Sequence, residues 1–160
     1  MGLSREEKLE IIHSMGADTE HVLAILIDLQ YKSDNSYIDE ETAELVAQET
    51  GISLTRIYDI LTFYSMLHTK PSGKYVIEVC NSAPCYYTKS TEVAELLQQE
   101  IGVNMGETTK DGLFSLHYTP CVGMCEIGPV IKVKDKIFGN LTPDKIRKII
   151  EDLRGGNINV

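Results

Sequence analysis

Apolar residues through the first 68 positions recur every three or four residues, whereas beyond position 74 they also fall into short continuous runs. An interval of three to four marks one buried face of an α-helix, and a short run rich in β-branched residues marks a strand buried on both faces. Ser4-Arg-Glu-Glu7 has the form of a capping box, in which the Ser hydroxyl and the Glu carboxylate satisfy free backbone N–H groups. Leu9, Ile11, Ile12 and Met15 follow on one stripe, and Gly16 stops the helix. Asp18 or Thr19 is placed to cap a second helix, carrying Val22, Leu23, Ile25, Leu26 and Leu29 to near Lys32. After a Ser-Asp-Asn-Ser-Tyr loop, Asp39 caps a third helix that runs through Leu45, Val46 and Gln48 to Gly51. Ser53 caps a fourth, with Leu54, Ile57, Ile60, Leu61 and Tyr64. Each helix must bury one face against its neighbours, so these stripes are expected to form a bundle core; the Phe63-Tyr64 pair could instead dock a partner, with helix core the favoured reading for Phe63.

Lys70-Pro71-Ser72-Gly73 interrupts the pattern, because Pro disfavours a helical residue before it and Gly supplies turn freedom. A helical domain over 1–70 and a second domain over 71–160 are the expected division. In the second, Tyr75 to Val79 reads as a buried strand running straight into Cys80. Ser90 or Thr91 caps a helix with Val93, Leu96, Leu97 and Ile101, closed by Gly102. Phe114 to Tyr118 is a second strand, leading to Cys121. Val130 to Val133 and Lys136 to Phe138 read as a hairpin across Lys134-Asp135, and Thr142-Pro143 opens a last helix with Ile146, Ile149, Ile150 and Leu153. The fold class expected is α/β: a β-α-β-β-β-α domain preceded by an N-terminal helical bundle.

Composition adds limits. With 42% hydrophobic and 24% charged residues the 160-residue chain is of the soluble globular kind. No apolar run approaches the roughly 20 residues that cross a bilayer, so no direct membrane insertion is expected. The start of the chain lacks a basic region followed by a continuous apolar stretch, which is read as no secretory signal and a cytoplasmic location, or the cytoplasmic face of a membrane complex. Gly2 stands where N-myristoylation would need it, but Glu6 fills the position that requires Ser or Thr. The net charge of −9 is uneven: residues 1–71 hold 5 basic and 13 acidic side chains, residues 72–160 hold 10 and 11. Such an acidic field repels nucleic acid and anionic membranes and favours a partner with a basic surface, beside the plainer reading of a solvated acidic face.

The chemistry lies in the cysteines. There are four, in two tight pairs: Cys80 with Cys85 in VCNSAPC, and Cys121 with Cys125 in PCVGMCEIGP. If the strands ending at 79 and 118 are parallel and joined by a right-handed crossover helix, their C-terminal ends share one edge of the sheet, and both cysteine loops converge there. Structural disulfides do not suit a reducing compartment. Independent buried thiols would have no reason to occur as two loop pairs beside Pro and Gly. Zinc permits the x4 and x3 gaps without favouring them, since its sites more often use x2. A two-iron cluster needs two thiolates on each iron, which longer ligand loops suit. An oxidised [2Fe–2S] core with four thiolates carries a charge of −2, becoming −3 on reduction, so backbone N–H donors are needed beside it. Asn81 to Ala83, Val122 to Met124, and Ile127-Gly128 can offer them, while Pro84 and Pro129 cannot and are read as fixing loop geometry.

VC-x4-C, a 35-residue interval, then C-x3-C followed by Gly-Pro and an apolar strand, preceded by helices containing TFYSML and a KPSGKY break, resembles the thioredoxin-like [2Fe–2S] subunit family of NADH:quinone oxidoreductase (complex I). The same family supplies NAD-dependent hydrogenases, electron-bifurcating ones included, and NAD-dependent formate dehydrogenases. The resemblance spans roughly residues 20 to 153. It implies a thioredoxin-like fold for the C-terminal half, and Cys80, Cys85, Cys121 and Cys125 as ligands of a [2Fe–2S] cluster. It further implies a larger flavoprotein partner that carries FMN and the NAD(H) site, with further redox subunits beside it. The chain itself has no GxGxxG fingerprint, in keeping with NAD(H) bound elsewhere. The implied role is that of a non-catalytic one-electron carrier subunit of an oxidoreductase complex, without an acid, base or nucleophile of its own.

Two other classes compete. Ala47-x3-Gly51-x5-Ile57 has helix-turn-helix spacing, so a zinc- or cluster-containing redox-responsive DNA-binding regulator with its reader within 43–60 is the alternative. Arg56 is offset there by Asp59, and DNA binding rests on phosphate neutralisation. A thioredoxin-like thiol oxidoreductase would want Cys-x-x-Cys, which neither pair has. His117 could suggest a mixed Cys/His site, but four cysteines already complete the ligand count; His13, His21 and His68 lack a second ligand at i+4.

Overall fold

A computed structural model describes residues 3–158; Gly2 and the myristoylation question lie outside them. The chain divides between Ser72 and Gly73 into two compact units.

In the N-terminal unit, α1 (Arg5–Ser14) starts at the capping box: Ser4 N–H donates to Glu7 Oε2 at 2.7 Å and Glu7 N–H to Ser4 Oγ at 3.3 Å. α2 (Val22–Lys32) begins differently from the expectation. Asp18 Oδ1 accepts the N–H groups of Glu20 and His21 at 3.0 and 2.9 Å, closing a turn ahead of the helix, so the residue at the helix start is His21, whose side chain makes no capping bond. α3 (Glu40–Thr50) is capped by Asp39, which accepts Thr42 N–H at 2.8 Å, and ends at Gly51. Gly51 has φ +72°, a left-handed conformation that any side chain would strain. α4 (Leu54–Phe63) is capped by Ser53. α3 packs against α1, α2 and α4. Ile12, Ile25, Leu26, Leu29, Val46, Ile57 and Leu61 form the core, each such burial worth roughly 1.5–3 kcal/mol. Buried Gln30 ties down the segment after α4 by donating to Met66 O at 2.8 Å and accepting His68 N–H at 2.7 Å. Phe63 is a correction: it is 80% exposed, because α4 spends its buried stripe on Ile57 and Leu61 and its last residue lies off that stripe.

The C-terminal unit contains β1 (Tyr75–Cys80), α5 (Ala83–Tyr87), α6 (Ser90–Ile101), β2 (Phe114–Thr119), β3 (Ile131–Val133), β4 (Lys136–Phe138) and α7 (Pro143–Arg154). The sheet order is β2-β1-β3-β4. β1 and β2 are parallel, in register from Tyr75 opposite Phe114 to Cys80 opposite Thr119; β3 runs antiparallel to β1 and β4 to β3. Ile77, Val79, Phe114, Leu116, Ile131 and Val133 pack with Val93 and Leu97 of α6 and with Ile146, Ile149 and Leu153 of α7. α5 is absent from the expected order, since five residues are too few for a periodic stripe. Its presence changes the start of α6: Lys89, at φ +73°, is the cap residue, and Ser90 is the buried first residue of the helix instead of its cap.

Candidate metal centre

Parallel pairing of β1 and β2 brings their C-terminal ends side by side, and each strand hands the chain to one cysteine pair. Cys80 is the last residue of β1 and is 1% exposed; its N–H donates to Val130 O at 3.2 Å. Asn81 N–H then bonds Thr119 O at 3.3 Å across the strand ends. The next residues fold into α5, with Pro84 in its first turn, where a missing N–H costs nothing. Cys85 sits on this helix, also 1% exposed, and its thiol is hydrogen-bonded with Cys80. Thr88 Oγ1 lies 3.2 Å from Pro84 O and 3.1 Å from Cys85 O, tying the helix end to its start.

The second pair is exposed. Gly123 N–H donates to Cys121 Sγ at 3.4 Å, and Cys121 Sγ lies 3.4 Å from Cys125 Sγ. That separation is a thiol contact; a disulfide would be near 2.05 Å, and all four cysteines are free. Cys125 opens a 3-10 turn over 125–127, where Ile127 N–H bonds Met124 O and Gly128 N–H bonds Cys125 O, both at 3.2 Å. A cis Gly128-Pro129 bond follows, and then buried Val130.

Val130 joins the two loops. Its carbonyl accepts Cys80 N–H, and its own N–H donates to the Cys85 sulfur. Of the backbone donors expected beside the sulfurs, Gly123 N–H lies on one, while Asn81, Ile127 and Gly128 spend theirs on carbonyls. Sequence reasoning does not single out Val130, because its amide is aimed by the turn before it.

The four thiols form one electrostatic group. Cys85 feels Cys80 and Cys125, and Cys125 feels Cys121 and Cys80. Burial, with the Cys80 bond, pushes the Cys85 thiol up to about 11. The Gly123 N–H and then the Cys125 contact hold Cys121 below the ordinary thiol value, while the Cys121 contact and burial raise Cys125. Four thiols, two buried and two open to solvent, fit a polynuclear thiolate-ligated group. Among the described residues, no group of three or more His, Cys, Asp or Glu side chains is gathered tightly enough to hold a single metal ion.

His117 pairs in register with Glu78, whose carboxylate meets Lys132 Nζ at 3.1 Å, and burial lowers the His117 imidazole pKa against the pull of Glu78. Ala47 is partly buried and Ile57 fully buried, so both contribute to packing within the helical unit. Arg56 is the one cation on α4. No described helix is long and apolar enough to cross a membrane.

The thioredoxin-like [2Fe–2S] ferredoxin family model matches residues 9–154. One component of the NADH-quinone oxidoreductase of Rickettsia conorii is 34% identical over 129 residues, 81% of this chain and 77% of that protein. The HndA subunit of the NADP-reducing hydrogenase of Solidesulfovibrio fructosivorans is 30% identical over 146 residues, 91% of this chain and 84% of that protein. Among solved structures, an NAD+-reducing [NiFe]-hydrogenase in the air-oxidized state superposes with a TM-score of 0.71 at 17% identity. The superposition covers 85% of this chain and 23% of that much longer one, and establishes a shared fold.

Proposed function

Because the chain belongs to the thioredoxin-like [2Fe–2S] ferredoxin family, we propose that it is the one-electron carrier subunit of a multisubunit NAD(H)-linked oxidoreductase, with Cys80, Cys85, Cys121 and Cys125 as the cluster ligands. When bound, a [2Fe–2S] cluster takes up and releases single electrons. The observation that carries this reading is the convergence of four free thiols at the end of two parallel strands, two buried and two exposed. Cys80 and Cys85 exclude water from one side, backed by Val130 and Ile137, while Cys121 and Cys125 present the other side to a redox partner. Gly123 N–H and Val130 N–H offset negative charge on the sulfurs. No side chain here is asked to move a proton. Hydride exchange with NAD(H) belongs to a larger FMN-containing flavoprotein partner, and this chain itself is non-catalytic. The acidic helical unit, residues 1–70, docks the chain to that flavoprotein. The relatives named as subunits of NADH-quinone oxidoreductase and of an NADP-reducing hydrogenase support the reading of this chain as one subunit of such a complex.

Anaerobic purification followed by iron and sulfide analysis, with EPR of the reduced protein, tests the cluster. About two irons per chain and a rhombic low-temperature signal are expected. Cys85→Ser and Cys125→Ser each abolish that signal, and stoichiometric zinc in place of iron overturns the assignment. For docking, deletion of residues 1–70 abolishes co-purification of the flavoprotein while the remaining unit keeps its iron; unchanged complex formation would sink it.

A further inference from the structure

The N-terminal unit carries a groove that its own fold leaves unfilled. It lies between α2 and α4, encloses about 790 Å³, and has Leu23, Ile60 and Tyr64 along it, each only half-buried. Phe63 stands at its edge, 80% exposed and in edge-to-face contact with Tyr64 at 5.1 Å between ring centres. Isolated exposed apolar residues are ordinary on a surface; a phenylalanine beside an apolar groove is not isolated. Ile57 and Leu61 already anchor α4 in the core, so the bundle does not need Phe63 for its own stability.

Charge selects the occupant. Glu20 and Asp59 line the same groove and are exposed, and among the described residues neither has an ion-pair partner. Asp28, Glu49, Asp18 and Asp39 are paired with Lys32, His13, His21 and Lys8, and Glu20 and Asp59 belong to the excess of acids over bases that this unit leaves without an ion pair. Arg56 is the single cation in the groove, in a unit whose residues 1–71 hold 13 acidic and 5 basic side chains. A channel between two helices takes a third helix by its apolar stripe, with anchors at i, i+3, i+4 and i+7.

We propose that this groove is the docking site for an amphipathic helix of a partner subunit, its apolar stripe on Phe63, Ile60 and Leu23 and its Lys or Arg flanks against Glu20 and Asp59. The inference rests on the reading that the helical unit docks a partner, and narrows it to one face and one kind of segment.

The test uses the assembled complex, purified through this chain. Phe63→benzoylphenylalanine is photo-activated and the cross-linked peptides are sequenced. The expected product is a partner-subunit segment of net positive charge with apolar residues three and four apart. Cross-links to an acidic or neutral segment, to a second copy of this chain or to its own C-terminal unit overturn the proposal, as does no cross-link in a complex that has formed. In parallel, Phe63→Asp weakens reassociation with the remaining subunits by about tenfold or more, at unchanged iron content. Glu20→Lys with Asp59→Lys weakens it several-fold, the effect shrinking at high salt. If Phe63→Asp reassembles normally while loss of residues 1–70 prevents assembly, the groove is wrong and the docking role stands. If neither change matters, both are wrong.

Discussion

Replacing Gly128 with Ala probes how tightly the second cysteine loop is pressed onto the first. Gly128 has φ −57° and ψ 153°, a conformation open to alanine, so the cost is steric. A Cβ there would stand 2.9 Å from Thr88 Oγ1, 3.3 Å from Cys125 O and 3.6 Å from Cys85 Sγ. Thr88 cannot swing away freely. It is β-branched, and its hydroxyl bonds Pro84 O and Cys85 O at 3.2 and 3.1 Å. Overpacking of this kind costs about 1–3 kcal/mol. For a unit of this size that lowers the unfolding midpoint by about 5–20 °C. Thr88→Ala removes both the obstacle and the bond, for about 0.5–1.5 kcal/mol. The assay is anaerobic thermal unfolding at fixed scan rate, read by visible cluster absorbance, which reports the C-terminal unit alone. In the Thr88→Ala background the Gly128→Ala penalty is expected to fall by at least about 1 kcal/mol. If the two changes add to within about 0.3–0.5 kcal/mol, the clash with Thr88 is not what holds position 128 as glycine.

Gly139→Ala should cost more than Gly128→Ala in the same assay, because its Cβ would meet Ile127 Cγ1 and Cδ1 at 2.5 Å and the Ile127 carbonyl at 2.6 Å; an equal or smaller loss refutes the contact. Asp39→Ala should destabilise the helical unit by about 1 kcal/mol through loss of the α3 cap, seen in its far-UV CD melt. Burial pushes the Asp39 carboxyl up, but the Thr42 bond and Lys8 more than offset it and hold it below 3.8. The contribution is therefore present above pH 3.8 and lost as pH falls through the lowered value, so the gap between wild type and Asp39→Ala closes in acid; a gap independent of pH counts against the cap. In the metal-free chain Cys85 rises from 9.0 to about 11 on folding, so its share of stability is complete below pH 9 and lost between about 9 and 11. Urea titrations at pH 8 and pH 11 should show that loss, and Cys85→Ala should reduce it. If these thiols hold the iron, loading it should release protons, measurable in a pH-stat, and iron uptake without proton release would refute the ligand assignment.

Most helix ends are legible in the chain because caps act within three residues. Ser4, Asp39, Ser53 and Thr142 each accept the N–H three residues on, as their side chains and positions imply. Where expectation and structure part, a neighbouring turn has taken the residue: Asp18 closes a turn ahead of α2, and α5 displaces the cap of α6 onto Lys89. Phe63 departs from the core because an apolar residue at a helix end belongs there only if the stripe reaches it, and Ile57 and Leu61 define the stripe without it.

The four cysteines, their pairing by spacing and the strands that deliver them can be read from the chain alone, since period and breaker residues are local. Their inequality cannot. That Cys80 and Cys85 are buried while Cys121 and Cys125 face solvent depends on β3, which runs antiparallel beside β1 and sets Val130 against both buried cysteines. The same holds for Thr88 beside Gly128, and for Glu78 between His117 and Lys132 on three strands. Sequence determines which groups can bond and at what spacing along one element, as for Gly123 N–H on Cys121; only long-range strand pairing sets Val130 against Cys80 and Cys85, because that choice is made between residues 45 to 50 positions apart.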